Sequence, residues 1–578
     1  MSFVCNWYVT NMKLKLISTS AFGLLVFAIL NFVYPGLMNY HEQNQLFLFT
    51  AEYFAERMGT CGGLVDYLSE FLVQLFYVPA YGAWIYAAAL CAIQLLVYYN
   101  FRHNDNNLYF LSFIPSILLF LYSGNENLLF SFVVAMLFVL LYIKLSDFNT
   151  MLSLILLPLF YWCVGAMSVV NFLYVTYLLI RDRRYILLAA IPVVYIALAV
   201  CFACIMPHQY PLHQVLFGIN YYRIPGHYHF MMFFIPIFTL IFIIISDKIK
   251  MNFGNKAALY VVQYTLVGAS LLLSNITYDQ LKFRLINYDY LLRHRCYNII
   301  IRQSEKHQPE TDFELVCINL SLAQKGLLGE RIFDYAQNGC AGLLSDAVLD
   351  NMSCMPALEA YFNLGMINTA LQFAFDTQES IMNNRKSGRL LKRMAECMII
   401  DRKYEAARHY LLILSHSMFY SDWAHHNLQI IQGNNDGALD PLYLTLRQHR
   451  FKENFIFYYP ELSKMLCKLY IENRSNLLAR QYCYAAVLLN KDLQTFVTFY
   501  QGLHEPATNL PKSYQQAWAM VWSGSHADFS GMPVEISNDT KHKLIDIAKY
   551  YMSDQNAGNL RNKFGYNFWT YYFCNIDR

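Results

Sequence analysis

The sequence predicts an all-α chain in two parts: a polytopic transmembrane helical bundle of about nine spans over residues 1–274, then an α-solenoid soluble domain over 275–578. Three observations predict it. Of the 578 residues, 56% are hydrophobic and only 14% charged, against roughly a quarter charged in a water-soluble chain. The apolar excess is concentrated before residue 275, in long uncharged runs. Beyond that point apolar residues recur at helical spacing, strand-like alternation is scarce, and Pro or Asn-Gly separates the segments.

The apolar runs lie at about 16–34, 80–99, 108–123, 128–143, 151–163, 166–180, 185–206, 230–246 and 257–274. A helix needs roughly 20 such residues to cross a hydrocarbon core, so the shorter runs borrow flanking aromatic and polar residues. Residues 151–180 are divided at "WCVGAMS", where Gly165 permits a tight reversal; one long tilted helix is the competing reading. The first run ends in "NFVYPG", without a small-x-small cleavage pattern, and reads as a retained span.

Charge placement orients the bundle. Short loops rich in Lys and Arg stay in the cytoplasm. Lys13 and Lys15 precede the first run, which places the N-terminus inside. Alternation then puts Arg102, Lys144, Arg181, Arg183, Arg184, Lys248, Lys250 and Lys256 on the same side, with Arg57 and Arg223 opposite. Nine spans, an odd number, leave the C-terminal domain outside the cytoplasm. A net charge of +3, with no basic stretch interleaved with aromatics, gives no sign of a nucleic-acid partner.

The second half carries a weak internal repeat. "LGMINTALQFAFD", "DRKYEAARHYLLIL" and "NRSNLLARQYCYAAVLL" each follow one helix and begin another. Their small residues Ala370, Ala407 and Ala479 are spaced by 37 and then 72, and Arg331 in "QKGLLGERIFDYAQNG" holds the place one period earlier. The period and the small residue resemble tetratricopeptide-type (TPR-like) repeats of about 34 residues, in which alanine lets two antiparallel helices approach closely. Such arrays present an extended surface to a peptide or protein. The cysteines of this half, Cys467 and Cys483 among them, read as buried thiols; disulfides are permitted, but the spacing names no pairs. Cys201 and Cys204 read as packing residues, and Asn171 as an interhelical hydrogen-bonding group.

Candidate chemistry gathers in the outside loop 35–79. In "YHEQNQLFLFTAEYF" a helix from Glu42 onward would put Leu46, Phe49, Tyr53 and Phe54 on one stripe, with Glu42, Gln45, Glu52 and Glu56 largely elsewhere, as in a helix lying at the membrane boundary. In "GGLVDYLSEFLVQLFYV", Asp66, Glu70 and Gln74 follow i, i+4, i+8 spacing and share one face. That stripe faces water, the protein interior or a partner. A boundary carboxylate is costly and marks a candidate site. His41 stands beside Glu42, able to orient it or to help hold a metal. A second loop, "PHQYPLHQVLFGINYYRIPGHYHF", supplies His208, His213, His227, His229 and Arg223. Arginine suits phosphate, whereas the histidine spacing matches no tight ligand set, so no metal ligands are assigned. Glu126 in "SGNEN" is a lesser candidate.

The layout over residues 14–274 resembles the GT-C superfamily of membrane glycosyltransferases, in which an acidic residue soon after the first span acts as base or metal ligand. "NYHEQNQ" occupies that position, with His41-Glu42 in place of the family's Asp-containing pair. The resemblance implies sugar transfer from a polyprenyl-phosphate-linked donor at the outer leaflet. Glu42 would be general base and Arg223 the contact to the departing phosphate; His41, Glu52, Asp66 and Glu70 would help bind substrate, with no cofactor beyond a conceivable divalent metal. The whole chain, through "YHEQNQLF", "GGLVDYLSEFLVQLFY" and the TPR-like half, also resembles an uncharacterised family of multi-pass proteins of Bacteroidota-type bacteria, which implies the bacterial inner membrane with a periplasmic C-terminal domain. Two other functions stay open: a non-catalytic membrane-anchored scaffold binding an envelope protein, and a transporter or flippase of lipid-linked saccharide. The enzyme reading expects Glu42 and Arg223 to line one cavity; the scaffold reading expects the acidic stripe to face bulk water.

Overall fold

The computed structural model describes residues 2–101, 106–124, 129–205, 230–246, 261, 265, 268, 269, 273, 278–346, 352–381, 385–433, 435–453, 458–554 and 557–573. Among them every regular element is helical. The chain divides into two compact units. The first comprises Met1–Asn287, Ile381–Arg389 and Leu412–His425; the second comprises Tyr288–Ser380, Leu390–Leu411 and His426–Arg578. A boundary drawn near residue 275 therefore describes only the first of several crossings of the chain between units.

Among the described residues, four helical stretches are long and apolar enough to cross a membrane: Lys15–Val33, Pro79–Asn100, Phe130–Phe148 and Thr150–Arg181. This is fewer than the nine runs in the sequence. The run at 108–123 yields a ten-residue α-helix, Phe113–Tyr122, behind a 3-10 turn. That at 185–206 divides into Tyr185–Leu188 and Ala190–Ile205, and Met231–Ser246 is only 16 residues long. Most of 257–274 lies outside the described residues.

In the first unit, α1 (Ser2–Ala28) passes through a π-helical turn, Ile29–Val33, and stops at Tyr34. Pro35, at the first position of α2 (Pro35–Gln43), starts the next helix, where a missing N–H costs nothing. Then follow α3 (Ala51–Met58), α4 (Gly63–Gln74), α5 (Pro79–Asn100), α6 (Phe113–Tyr122), α7 (Phe130–Phe148), α8 (Thr150–Val164) and α9 (Val169–Arg181). The long apolar run breaks at Gly165, whose φ of 76° favours glycine. The break is a reversal. Tyr174 of α9 donates to the Asp147 carboxylate at 2.7 Å, beside the start of α8, whereas a straight helix would carry it about 36 Å away. The reversal also lets Gly62 pack directly on Gly165, 3.5 Å from a Cβ built at Gly62.

Contacts between these helices define two ends of the unit. At one end Lys15 reaches Tyr98, Lys144 Nζ donates to the Tyr99 carbonyl at 2.6 Å, and Asn100 Nδ2 donates to the Leu140 carbonyl at 3.0 Å. The α9 terminus, Arg181, returns to the same end. At the other end the Gly62 amide donates to the Trp162 carbonyl at 2.8 Å, which locates loop 35–79 there. Asn171 is fully buried but neither side-chain polar atom finds a hydrogen-bond partner, a correction to the interhelical bond expected of it. Cys201 and Cys204 are exposed rather than packed.

The second unit is built from neighbouring helices that pack in sequence, such as Cys354–Leu364 on Ile367–Ser380 and Leu462–Glu472 on Leu477–Leu489. Ala370, Ala407 and Ala479 are all completely buried. Cys467 and Cys483 form a disulfide, with Cα atoms 4.9 Å apart. The earliest expected repeat departs from the pattern. Around Arg331 the chain makes only a four-residue helix, Leu328–Arg331, and a 3-10 turn, and Arg331 binds Glu305 at 2.9 Å and Asp334 at 3.4 Å where an alanine contact was expected.

Candidate functional site

The stretch after the first span does not form the single helix its apolar spacing suggests. α2 ends at Gln43, residues 45–49 run without helical structure, and Thr50 starts α3 by accepting a bond from the Tyr53 amide at 3.2 Å. The intervening amides are bonded elsewhere: Leu46 N–H to the Lys386 carbonyl at 2.7 Å, and Phe49 N–H to the His416 carbonyl at 2.9 Å. Those partners satisfy backbone groups a helix would otherwise have satisfied internally. The expected stripe is thereby broken: Leu46 and Tyr53 are buried, while Phe49 and Phe54 are exposed.

α4 forms as its spacing predicts, and its acidic face turns inward. Glu70 is 1% exposed. It accepts a hydrogen bond from Arg57 Nε at 2.9 Å, another from the Tyr53 hydroxyl, and lies 3.3 Å from Arg385 Nε. Arg385 also donates to Asp66 at 3.1 Å. Gln74, one turn on, donates to the Gln45 carbonyl at 2.7 Å. Burial pushes the Glu70 carboxyl above its usual range, opposed by the two guanidinium groups. The same desolvation raises the Tyr53 hydroxyl.

Glu42, the candidate base, is 3% exposed and accepts a 2.9 Å hydrogen bond from Tyr420. Its neighbour Gln43 accepts from Arg389 at 2.9 Å. His41 is buried, and desolvation pushes its imidazole down to about 4, so it is neutral near pH 7. Around Tyr420 the packing is close. Tyr77 stacks on Phe419 with ring centroids 4.8 Å apart, and a Cβ at Gly388 would sit 2.4 Å from the Tyr420 ring. Glycine is needed there for space.

The structure thus brings Glu42 and Glu70 into the buried interior of the first unit and leaves Asp66 partly exposed; Arg57 and Arg385 meet the acids of α4, and Arg389 meets Gln43. Glu52 and Glu56 point to the exterior of α3. Arg223, the four loop histidines and Glu126 lie outside the described residues. Among the described residues no group of three or more His, Cys, Asp or Glu side chains is arranged to hold a metal. Arg385, Arg389 and Tyr420 went unnoticed in the sequence, being more than 300 residues from their partners. One signal was available: Arg385 and Arg389 repeat the i, i+4 spacing of Asp66 and Glu70.

This arrangement has the chemistry of a fastening. Two carboxylates, Asp66 and Glu70, meet two guanidinium groups, Arg57 and Arg385, and Glu42 is held by the Tyr420 hydroxyl. A buried charge is tolerated only when so compensated. No curated protein and no solved structure matches the chain. Residues 11–575 match the model described as a family of unknown function (DUF6057), and the chain belongs to that family.

Proposed function

We propose that the chain is a multi-pass protein of the bacterial inner membrane that serves as a non-catalytic, membrane-anchored helical scaffold. The observation that carries this reading is Glu42: the residue best placed to be a base is buried and bonded to Tyr420. The scaffold reading expected the acidic stripe to face water, and the enzyme reading expected it to line a cavity with Arg223. Its inward pairing with arginines is a third arrangement, in which the carboxylates assemble the fold. In the second unit, the buried alanines between neighbouring helices support TPR-like pairing. The partner in this reading is an envelope protein bound by the helical pairs of the second unit; the hollow beside Gly365, Thr369, Asp401, Arg450 and Phe451 holds only about 50 Å³.

Orientation follows from charge. Lys15, Lys144 and Arg181 share one end of the first unit, which the positive-inside rule assigns to the cytoplasm. The acid-rich loop 35–79 then faces the periplasm. A Cys467–Cys483 disulfide suits that oxidising compartment.

The test compares Glu42→Gln with Tyr420→Phe in the full chain. A scaffold loses thermal stability in both variants and leaves polyprenyl-phosphate sugar in the membrane untouched. If Glu42→Gln keeps its melting temperature while stopping consumption of the lipid-linked sugar, the molecule is a glycosyltransferase and the scaffold reading fails.

A further inference from the structure

The turn between α9 and α10 (Tyr185–Leu188) is a basic knuckle at the end of an apolar hairpin. Its first arginine, Arg181, pairs with Asp182 at 3.0 Å. Arg183 and Arg184 are exposed. The turn is fixed by its backbone: the Arg183 amide donates to the Ile180 carbonyl at 3.1 Å, and the Arg184 amide to the Leu179 carbonyl at 2.9 Å. Arg183 holds a φ of 57°, so the chain reverses at that residue.

What surrounds the knuckle is apolar. Tyr142, Leu157, Phe172, Val175, Leu179 and Ile191 form one buried cluster, on which Met151, Leu187 and Leu188 also pack. Beside its members in sequence, Ile186, which precedes Leu187, is 91% exposed, and Phe148, three residues before Met151, is 88% exposed. Large side chains so exposed fit hydrocarbon rather than water, and the guanidinium groups two and three residues before Ile186 then sit at headgroup depth. Lys144 adds a further exposed cation at the same end of the unit.

We infer that Arg183 and Arg184 form a headgroup site for an anionic phospholipid, its phosphate held by the paired guanidinium groups and its acyl chains lying along Ile186 and Phe148. Guanidinium binds phosphate oxygens bidentately, and a basic cluster against transmembrane helices suits an anionic headgroup. The inference rests on reading this hairpin as membrane-embedded.

The experiment uses the full chain reconstituted in phosphatidylcholine vesicles with and without phosphatidylglycerol, then extracted in neutral detergent and weighed with its retained lipid by native mass spectrometry. Wild-type protein is expected to retain phosphatidylglycerol over phosphatidylcholine. Arg183→Gln/Arg184→Gln should cut that preference on the order of thirtyfold, since each arginine near a charged surface contributes about a factor of five. Arg181→Gln, which breaks an existing pair with Asp182, should leave it nearly unchanged. Equal retention by wild type and the double variant overturns the inference. So does stabilisation of the detergent-solubilised chain by inorganic phosphate as strong as that by phosphatidylglycerol, which would mean the site takes free phosphate. Failure of the wild-type chain to enter vesicles at all would instead sink the membrane reading.

Discussion

Two buried arginine–glutamate networks, one in each unit, use the same groups differently. In the first unit Arg385 and Arg57 hold Glu70, and Tyr420 holds Glu42, with partners up to 378 residues apart. In the second unit Arg393 bridges Glu359 at 2.8 Å and Glu396 at 2.7 Å, separated from them by 34 and 3 residues. The Phe362 ring lies 3.7 Å from the Arg393 guanidinium, and Tyr443 donates to Glu396 at 3.0 Å. The local network belongs to neighbouring helices and forms with them. The distant one joins segments that no local propensity brings together, so it specifies the topology of the first unit.

The largest expected effect is from breaking each network at its arginine. Arg385→Met and Arg393→Met should each cost about 3–5 kcal/mol, because a buried carboxylate loses its compensation. The networks differ in rescue. Adding Glu70→Gln to Arg385→Met should restore most of the loss, because Asp66 is partly exposed and stays hydrated. Adding Glu396→Gln to Arg393→Met should restore less, because Glu359 remains buried. Denaturant titration of the solubilised chain checks both; equal rescue would mean that the two networks do not differ in this way.

Acid should separate the units next. His41 is neutral when folded, with its imidazole lowered to about 4, and becomes charged on unfolding near the ordinary value of 6.5. Because the unfolded form binds more protons between those values, stability falls as pH drops from 6.5 toward 4, by roughly 2 kcal/mol at pH 5. His41→Phe should flatten that limb. Glu70 acts in the opposite sense: its raised carboxyl favours the protonated folded state, so its contribution is lost as pH rises above the usual carboxylate range. Melting curves across pH for wild type, His41→Phe and Glu70→Gln separate the two; an unaltered acid limb in His41→Phe would refute the assignment.

Smaller effects probe the tyrosine. Gly388→Ala should cost about 1–3 kcal/mol by overpacking against Tyr420, and Tyr420→Leu should relieve part of that cost in the double variant. If the two losses simply add, the contact does not limit the packing. At the bottom of the scale, Glu52→Ala and Glu56→Ala, both on the exposed side of α3, should shift stability by less than about 0.5 kcal/mol. A large loss there would mean that the exposed acids, too, are part of the fastening.

Legibility in the sequence followed the range of the interactions. The acidic face of α4 was readable because i, i+4, i+8 spacing fixes a face whatever it meets. The reversal at Gly165 was readable because the run was too long for one span and held one residue tolerant of positive φ. Apolar spacing alone predicts one helix through Glu42–Phe54, yet Thr50, followed by an acid in the first turn, is a helix-start signal inside it. The cap, not the apolar spacing, sets where the helix begins. The inward direction of the acids was not readable, because nothing near them announces Arg385, Arg389 or Tyr420. Short runs such as 108–123 were counted as spans on composition alone.

The 378 residues between Glu42 and Tyr420 are also an interval of time. A chain is made from its N-terminus at roughly 5–20 residues per second, so about 20 to 75 seconds pass between synthesis of the acid and of its partner. Through that interval Glu42 lacks Tyr420, and Glu70 has Tyr53 and Arg57 but not Arg385. The first unit is therefore begun before any other part of the protein and completed only after most of the second has been made.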